Sequence, residues 1–124
     1  MAELREAADP ATRLVLIDLK EGWLGGADLA ALGQVCDGAI LCAYDTDPGE
    51  AAQLAASGRA ALGPEKILGI GFRLFYPGIV GARALRSRIQ AALAAGADGI
   101  HFYNCGLVPA PRLDWVRRAL GREE

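Results

Sequence analysis

Several side chains able to do chemistry fall at or near the ends of apolar runs in this 124-residue chain. Asp18 lies near the end of RLVLIDL (13–19), and Lys20 follows it two residues on. Tyr44 and Asp45 close AILCAYD (39–45), and Arg73 sits late in KILGIGFRLFY (66–76). His101, Tyr103 and Asn104 belong to DGIHFYN (98–104). In an extended run, residues two apart point to the same side. Asp18 and Asp45 are candidate general acids or bases, and His101, the sole histidine, is a third. Arg73 could orient an anionic or polar substrate, with Lys20 and Tyr44 beside it. Tyr103 and Asn104 could contact ligand hydroxyls, and Trp23, in the glycine-rich stretch EGWLGG, could stack on a sugar ring.

Each has a plainer role. Asp18 could simply pair with Arg73 or Lys20, and His101 could be a hydrogen-bonded core residue. Asp45 and Asp47 suit a helix entry, Tyr103 and Asn104 a strand end, and Trp23 an aromatic cover over the sheet.

What would bring these residues together is a unit repeated four times, an apolar strand followed by an Ala/Leu-rich helix. Its strands start roughly 26 to 31 residues apart, close to the ~31 per unit of a (β/α)8 barrel of ~250 residues. Helices are expected over 27–35, 50–62, 81–95 and 111–120. Thr46 or Asp47 can cap the second, with Pro48 at its first position and Glu50 at the positive end of its dipole. Leu85, Ile89, Ala92 and Leu93 form the apolar stripe of the third. A short helix at 3–8 precedes the first strand and stops at Asp9-Pro10, like the tail of an element feeding that strand. Alternation with short links requires parallel pairing, because each return crosses over through a helix. The expected fold is therefore α/β, a single domain over 1–124 made of four parallel βα units, a (βα)4 half of a TIM barrel.

One face of each strand should pack on helices and the other look inward. In the third strand the apolar set Leu68, Ile70, Phe72 and Leu74 leaves Gly69, Gly71, Arg73 and Phe75 inward. In the fourth, Ile100 and Phe102 leave His101 and Tyr103 inward. In the first, Val15, Ile17 and Leu19 are expected against the helices, with Leu14, Leu16, Asp18 and Lys20 inward. The second strand is open: either Cys42 and Tyr44 or Ala43 and Asp45 face the interior.

Composition narrows the classes. Apolar residues make up 52% of the chain, enough for a core, and a formal charge of −2 offers no general attraction to nucleic acid. The three cysteines show no CxxC or Cys/His spacing, so neither a disulfide framework nor a metal site is expected. Reduced thiols and the absence of a secretion-type N-terminus suggest the cytoplasm. No apolar run has the ~20 residues of a membrane helix. No GxGxxG or P-loop is present, so no nucleotide or other cofactor is expected.

GADGIHFYNCGLVPAPRLDWVRRAL (96–120) resembles the last strand and helix of TIM-barrel proteins of the glycoside-hydrolase-like type. GIGFRLFYPG then resembles the seventh strand, AILCAYD the sixth and RLVLIDL the fifth. The resemblance implies the C-terminal half of such a barrel, acting on or binding a carbohydrate or similar polar small molecule at the strand ends. Glycoside hydrolysis needs two carboxylates, and Asp18 and Asp45 could supply them only with their tips roughly 5–10 Å apart. The alternative is a non-catalytic binding or assembly module. A four-stranded wall leaves two open edges, which a homodimer or a missing N-terminal half-barrel would cover.

Overall fold

A computed structural model describes residues 2–19, 28–75 and 78–121. In chain order these form α1 (Ala2–Ala7), β1 (Val15–Leu19), α2 (Leu29–Leu32), β2 (Gly38–Cys42), α3 (Pro48–Leu62), β3 (Ile67–Arg73), α4 (Ala82–Ala94), β4 (Gly99–Tyr103) and α5 (Ala110–Ala119). The strands make one parallel sheet in the order β1-β2-β3-β4, so the expected α/β alternation and pairing are present.

Local chemistry sets the boundaries. Asp47, the cap of α3, forms a capping box with Glu50: its carboxylate accepts from Glu50 N at 2.8 Å, and Glu50 Oε2 accepts from Asp47 N at 2.7 Å. Thr46 instead donates its hydroxyl to Ala43 O at 3.0 Å. The short α2 is capped by Asp28 and gives way to turns after Leu32, well inside the expected 27–35. In α4, Leu85, Ile89 and Ala92 are buried as expected, whereas Leu93 lies off the stripe and is exposed.

In-register partners of a parallel pair project to the same face. Leu16, Ala39 and Leu68 form one row, Asp18, Leu41 and Ile70 the next, and Ile70 and Phe72 continue to Ile100 and Phe102. This face carries the core and packs under α3, α4 and α5. Contacts run from α2 to α3 to α4 to α5, so these helices form one layer. At Gly58 of α3 a Cβ would lie 2.5 Å from Leu41 Cδ1, and the glycine lets this helix sit close on the sheet.

The other face carries Val15, Ile17 and Leu19 of β1, Ile40 and Cys42 of β2, Gly69, Gly71 and Arg73 of β3, and His101 and Tyr103 of β4. No described helix covers it, and Ile17 is 66% exposed on it. The expected facing therefore holds in β3 and β4 and is reversed in β1. Leu16 packs against the core and Asp18 is buried on the helix face, while Val15, Ile17 and Leu19 look out from the bare one. No helix among the described residues is long and apolar enough to cross a membrane.

Candidate functional site

The C-terminal ends of β2 and β3 frame a cleft of about 440 Å³. Its walls come from Leu19 at the tip of β1, Cys42 at the end of β2, Tyr44, Asp45 and Thr46 after it, Glu50 of α3 and Arg73 of β3. This volume lies within the usual range of small-molecule sites.

Arg73 is the centre of the site. Its Nη2 pairs with Asp45 Oδ2. Its guanidinium carbon lies 5.8 Å from the centre of the Tyr44 ring and 5.0 Å from that of Phe75. Tyr103, in register with Arg73 on β4, completes an aromatic rim, its ring centre 5.9 Å from Tyr44 and 6.3 Å from Phe75. Cations over ring faces at these distances are attracted by the π-electron quadrupole. Arg73 Nε is buried and has no hydrogen-bond partner among the described residues. The guanidinium thus keeps unsatisfied donor capacity beside the cleft.

The surrounding backbone holds these groups. Asp45 adopts φ 58°, a left-handed conformation that aspartate tolerates better than most residues. The chain turns there from β2 toward the capping box of α3. Gly78, after β3, packs against this turn: a Cβ on it would be 3.4 Å from Asp45 Oδ1 and 3.1 Å from Arg73 O. Arg88 of α4 donates to Thr46 O at 2.6 Å, and Arg112 of α5 donates to Leu74 O at 2.7 Å. Two helices thereby brace the strand ends from behind.

Protonation follows burial. Removal from water pushes the Tyr44 phenol well above its ordinary value, so it remains a neutral hydroxyl donor. Burial likewise raises the Cys42 thiol, with hydrogen bonding to Tyr44 working the other way and the charge of Asp18 adding to the rise. Cys42 is therefore a thiol at neutral pH, a poor nucleophile.

The structure brings together Tyr44, Asp45, Arg73 and Tyr103 of the expected set, and Asp18 and His101 stand apart from them. Asp18, expected inward beside Lys20, lies 2% exposed on the opposite face, with no partner for Oδ2 among the described residues. Its carboxylate is on the helix face, whereas Asp45 lines the cleft beyond the end of β2 and is paired with Arg73. His101 is on the bare face but leans back along the sheet: a Cβ on Gly69 would be 2.6 Å from its Nε2. Gly69 lies four residues before Arg73, so the imidazole points away from the cleft rather than assisting there. Asn104 begins the turn after β4, its Oδ1 buried and unpartnered among the described residues. Lys20 and Trp23 lie outside the described residues.

Two residues absent from the expected set contribute. Phe75 shares the parity of Arg73, so the same alternation that placed Arg73 inward also marked Phe75. Glu50 lines the cleft from the first turn of α3, but its Oε2 is engaged by Asp47 N in the capping box. Among the described residues no group of three or more His, Cys, Asp or Glu side chains is placed to hold a metal ion. The arrangement offers one neutralised ion pair, aromatic faces and a phenol. Among the described residues the carboxylates that line the cleft are both engaged, Asp45 by Arg73 and Glu50 by Asp47 N. Comparison with protein-family models, with curated proteins and with solved structures finds no match to this chain.

Proposed function

We propose that this chain is a (βα)4 half-barrel of the glycoside-hydrolase-like type whose strand-end cleft binds a carbohydrate or a similar polar small molecule. The observation that carries the reading is the Arg73–Asp45 pair bordered by Tyr44, Phe75 and Tyr103 over the cleft. A guanidinium beside a carboxylate presents donors and acceptors at neighbouring points, which suits adjacent hydroxyl groups. Aromatic rings suit the apolar C–H faces of a sugar, and the Tyr44 hydroxyl adds a polar handle. Asp45 neutralises Arg73, which favours an uncharged polyol ring over a simple anion. The role is binding: Asp45 accepts and Arg73 donates, while Asp18 and His101 stand outside the cleft.

The test is calorimetric titration of the protein with a panel of neutral mono- and disaccharides and their uronic acids. Binding of at least one neutral sugar is expected. Arg73→Met, which keeps the stem and removes the donors, should weaken it at least tenfold, equivalent to about 1.4 kcal/mol. Asp18→Asn should leave affinity unchanged. Equal affinity in wild type and Arg73→Met, or no binding by any member of the panel, would overturn the proposal.

A further inference from the structure

The bare face of the sheet has an apolar content unsuited to water. Val15, Ile17 and Leu19 are 39%, 66% and 42% exposed, and Ile40 and Ile67 share this side as half-buried neighbours. Glycines lie among them at Gly38, Gly69, Gly71 and Gly99; Ile67 and His101 fill the space over Gly38 and Gly69, while a Cβ on Gly99 would meet nothing within 4 Å. Among the described residues both sheet edges are also unpaired: β1 and β4 each have one neighbour. Long apolar edges left open to solvent invite pairing with another chain.

The helix layer points the same way. Strands in sequential order with helices on one face form a wall that curls rather than a sheet covered on both sides. The layer runs α2, α3, α4, α5, and α5 follows the last strand, in the place of a crossover toward a fifth. Leu113 of α5 and Leu120 just after it are 41% and 50% exposed.

The chain exposes 7450 Å², above the roughly 6,300 Å² expected of a folded monomer of 13.0 kDa, and Val15, Ile17 and Leu19 of the bare face are among its exposed large apolar side chains.

We infer that two copies of this chain close into one eight-stranded parallel barrel, the β4 edge of each pairing with the β1 edge of the other. The occupant is a second copy because one two-fold axis satisfies everything the single wall leaves open. The two edges are equal in length, five residues each, and have the same strand direction. Bulky Val15, Ile17 and Leu19 on β1 come beside the partner's small or polar strand, whose Gly99 has nothing within 4 Å of a built Cβ. Barrel interiors are filled by such alternation of large and small inward residues. Closure also brings both Arg73 clefts to a single mouth, since all strands run the same way. The half-barrel assignment is shared with the ligand-binding reading, but the closure does not depend on which ligand the cleft takes.

The test is sedimentation equilibrium of the full chain at micromolar concentration, with amide hydrogen exchange on the same sample. A mass twice 13.0 kDa is expected, with slow exchange in β1 and β4 as well as in β2 and β3. Ile17→Lys puts a charge on the bare face at a site 66% exposed within the single chain, so it should yield a monomer with an unchanged far-UV spectrum. Ile17→Thr keeps the β-branched shape and should raise the dimer dissociation constant at least tenfold. A wild-type monomer overturns the inference, whether a different half-barrel or nothing then covers the face. A dimer unaffected by both variants, or one whose β1 and β4 edges exchange freely as in face-to-face stacking, overturns it equally. A monomer that still binds sugar through Arg73 refutes closure alone, and a dimer that binds none refutes the ligand reading alone.

Discussion

Arg59 is the residue on which the far end of the sheet depends most. From α3 its guanidinium reaches Gly63 O at 2.8 Å, Lys66 O at 2.7 Å and Gly96 O at 2.9 and 3.1 Å, and it pairs with Asp98 Oδ2 at 2.6 Å. One side chain thus ties the end of its own helix, the entry to β3, the turn after α4 and the entry to β4. Asp98 closes the ring by accepting from Leu68 N at 2.8 Å. Replacing Arg59 by Ala leaves three carbonyl groups to water or to no partner, at roughly 1 kcal/mol each. The ion pair adds under about 1 kcal/mol, because the Asp98 side chain is 55% exposed. Arg59→Ala should therefore cost about 3 kcal/mol of the roughly 5–15 kcal/mol that holds a typical domain. In urea, at fixed protein concentration, the midpoint should fall by roughly 1–2 M. Arg59→Lys, with a single ammonium in place of the planar fork, should lose about half as much. A midpoint shift below roughly 0.3 M for the alanine variant, or equal shifts for Lys and Ala, would refute the reasoning.

Two further outcomes follow from the same geometry. The Asp98 carboxyl is held below its ordinary value first by the Leu68 amide and then by Arg59, and that of Asp37 first by the Leu14 amide. Folded-state values below the unfolded ones mean stability that is present above the unfolded carboxylate value and is lost as pH falls through the folded one. Urea midpoints measured from about pH 6 down to pH 3 should fall on the acid side, and Asp98→Asn should flatten the fall; an identical slope in the variant would contradict the assignment. Gly58→Ala gains up to about 1 kcal/mol of helix propensity but drives a methyl to within 2.5 Å of Leu41 Cδ1 and 3.1 Å of Leu68 Cδ1. Overpacking of this kind costs roughly 1–3 kcal/mol, so a lower thermal midpoint is expected, and a higher one would show that the core yields at this point.

The alternation of strands and helices was legible because the elements end on distinct turn or cap signals, such as Asp47-Pro48 after β2 or Gly96 after α4. The partition of β3 and β4 was legible because each has one aliphatic or aromatic parity and one with glycine or polar residues. Arg73 and Tyr103 therefore come to the same side as expected. His101 shares that side, but period-two arithmetic gives a face and no direction along it, and only the empty space over Gly69 draws the ring back from the cleft. In β2 both parities are small or aliphatic, and only pairing with β3 assigns Cys42 and Tyr44 to the cleft side. Phe75 was readable from its parity with Arg73. The engagement of Glu50 in a cap follows from its spacing to Asp47.

The reversal in β1 has a different origin, and it bears on what the bare face is for. Assigning Val15, Ile17 and Leu19 to the helices assumes that the more apolar parity goes where burial is greatest. That assumption fails for a parallel strand buried on both sides, whose sequence is nearly continuously apolar. VLIDL has that form, broken only by Asp18. Within one chain the strand buries only the parity of Leu16 and Asp18, so its stronger parity is left facing outward. Asp18 is the one buried charged residue among those described, and it occupies the position on the helix face where β2 and β3 place Leu41 and Ile70. Hydrophobicity here ranks the bare face above the covered one in the need for a partner. That order is unexplained if the single chain is the finished unit and follows directly if Val15, Ile17 and Leu19 line a closed barrel.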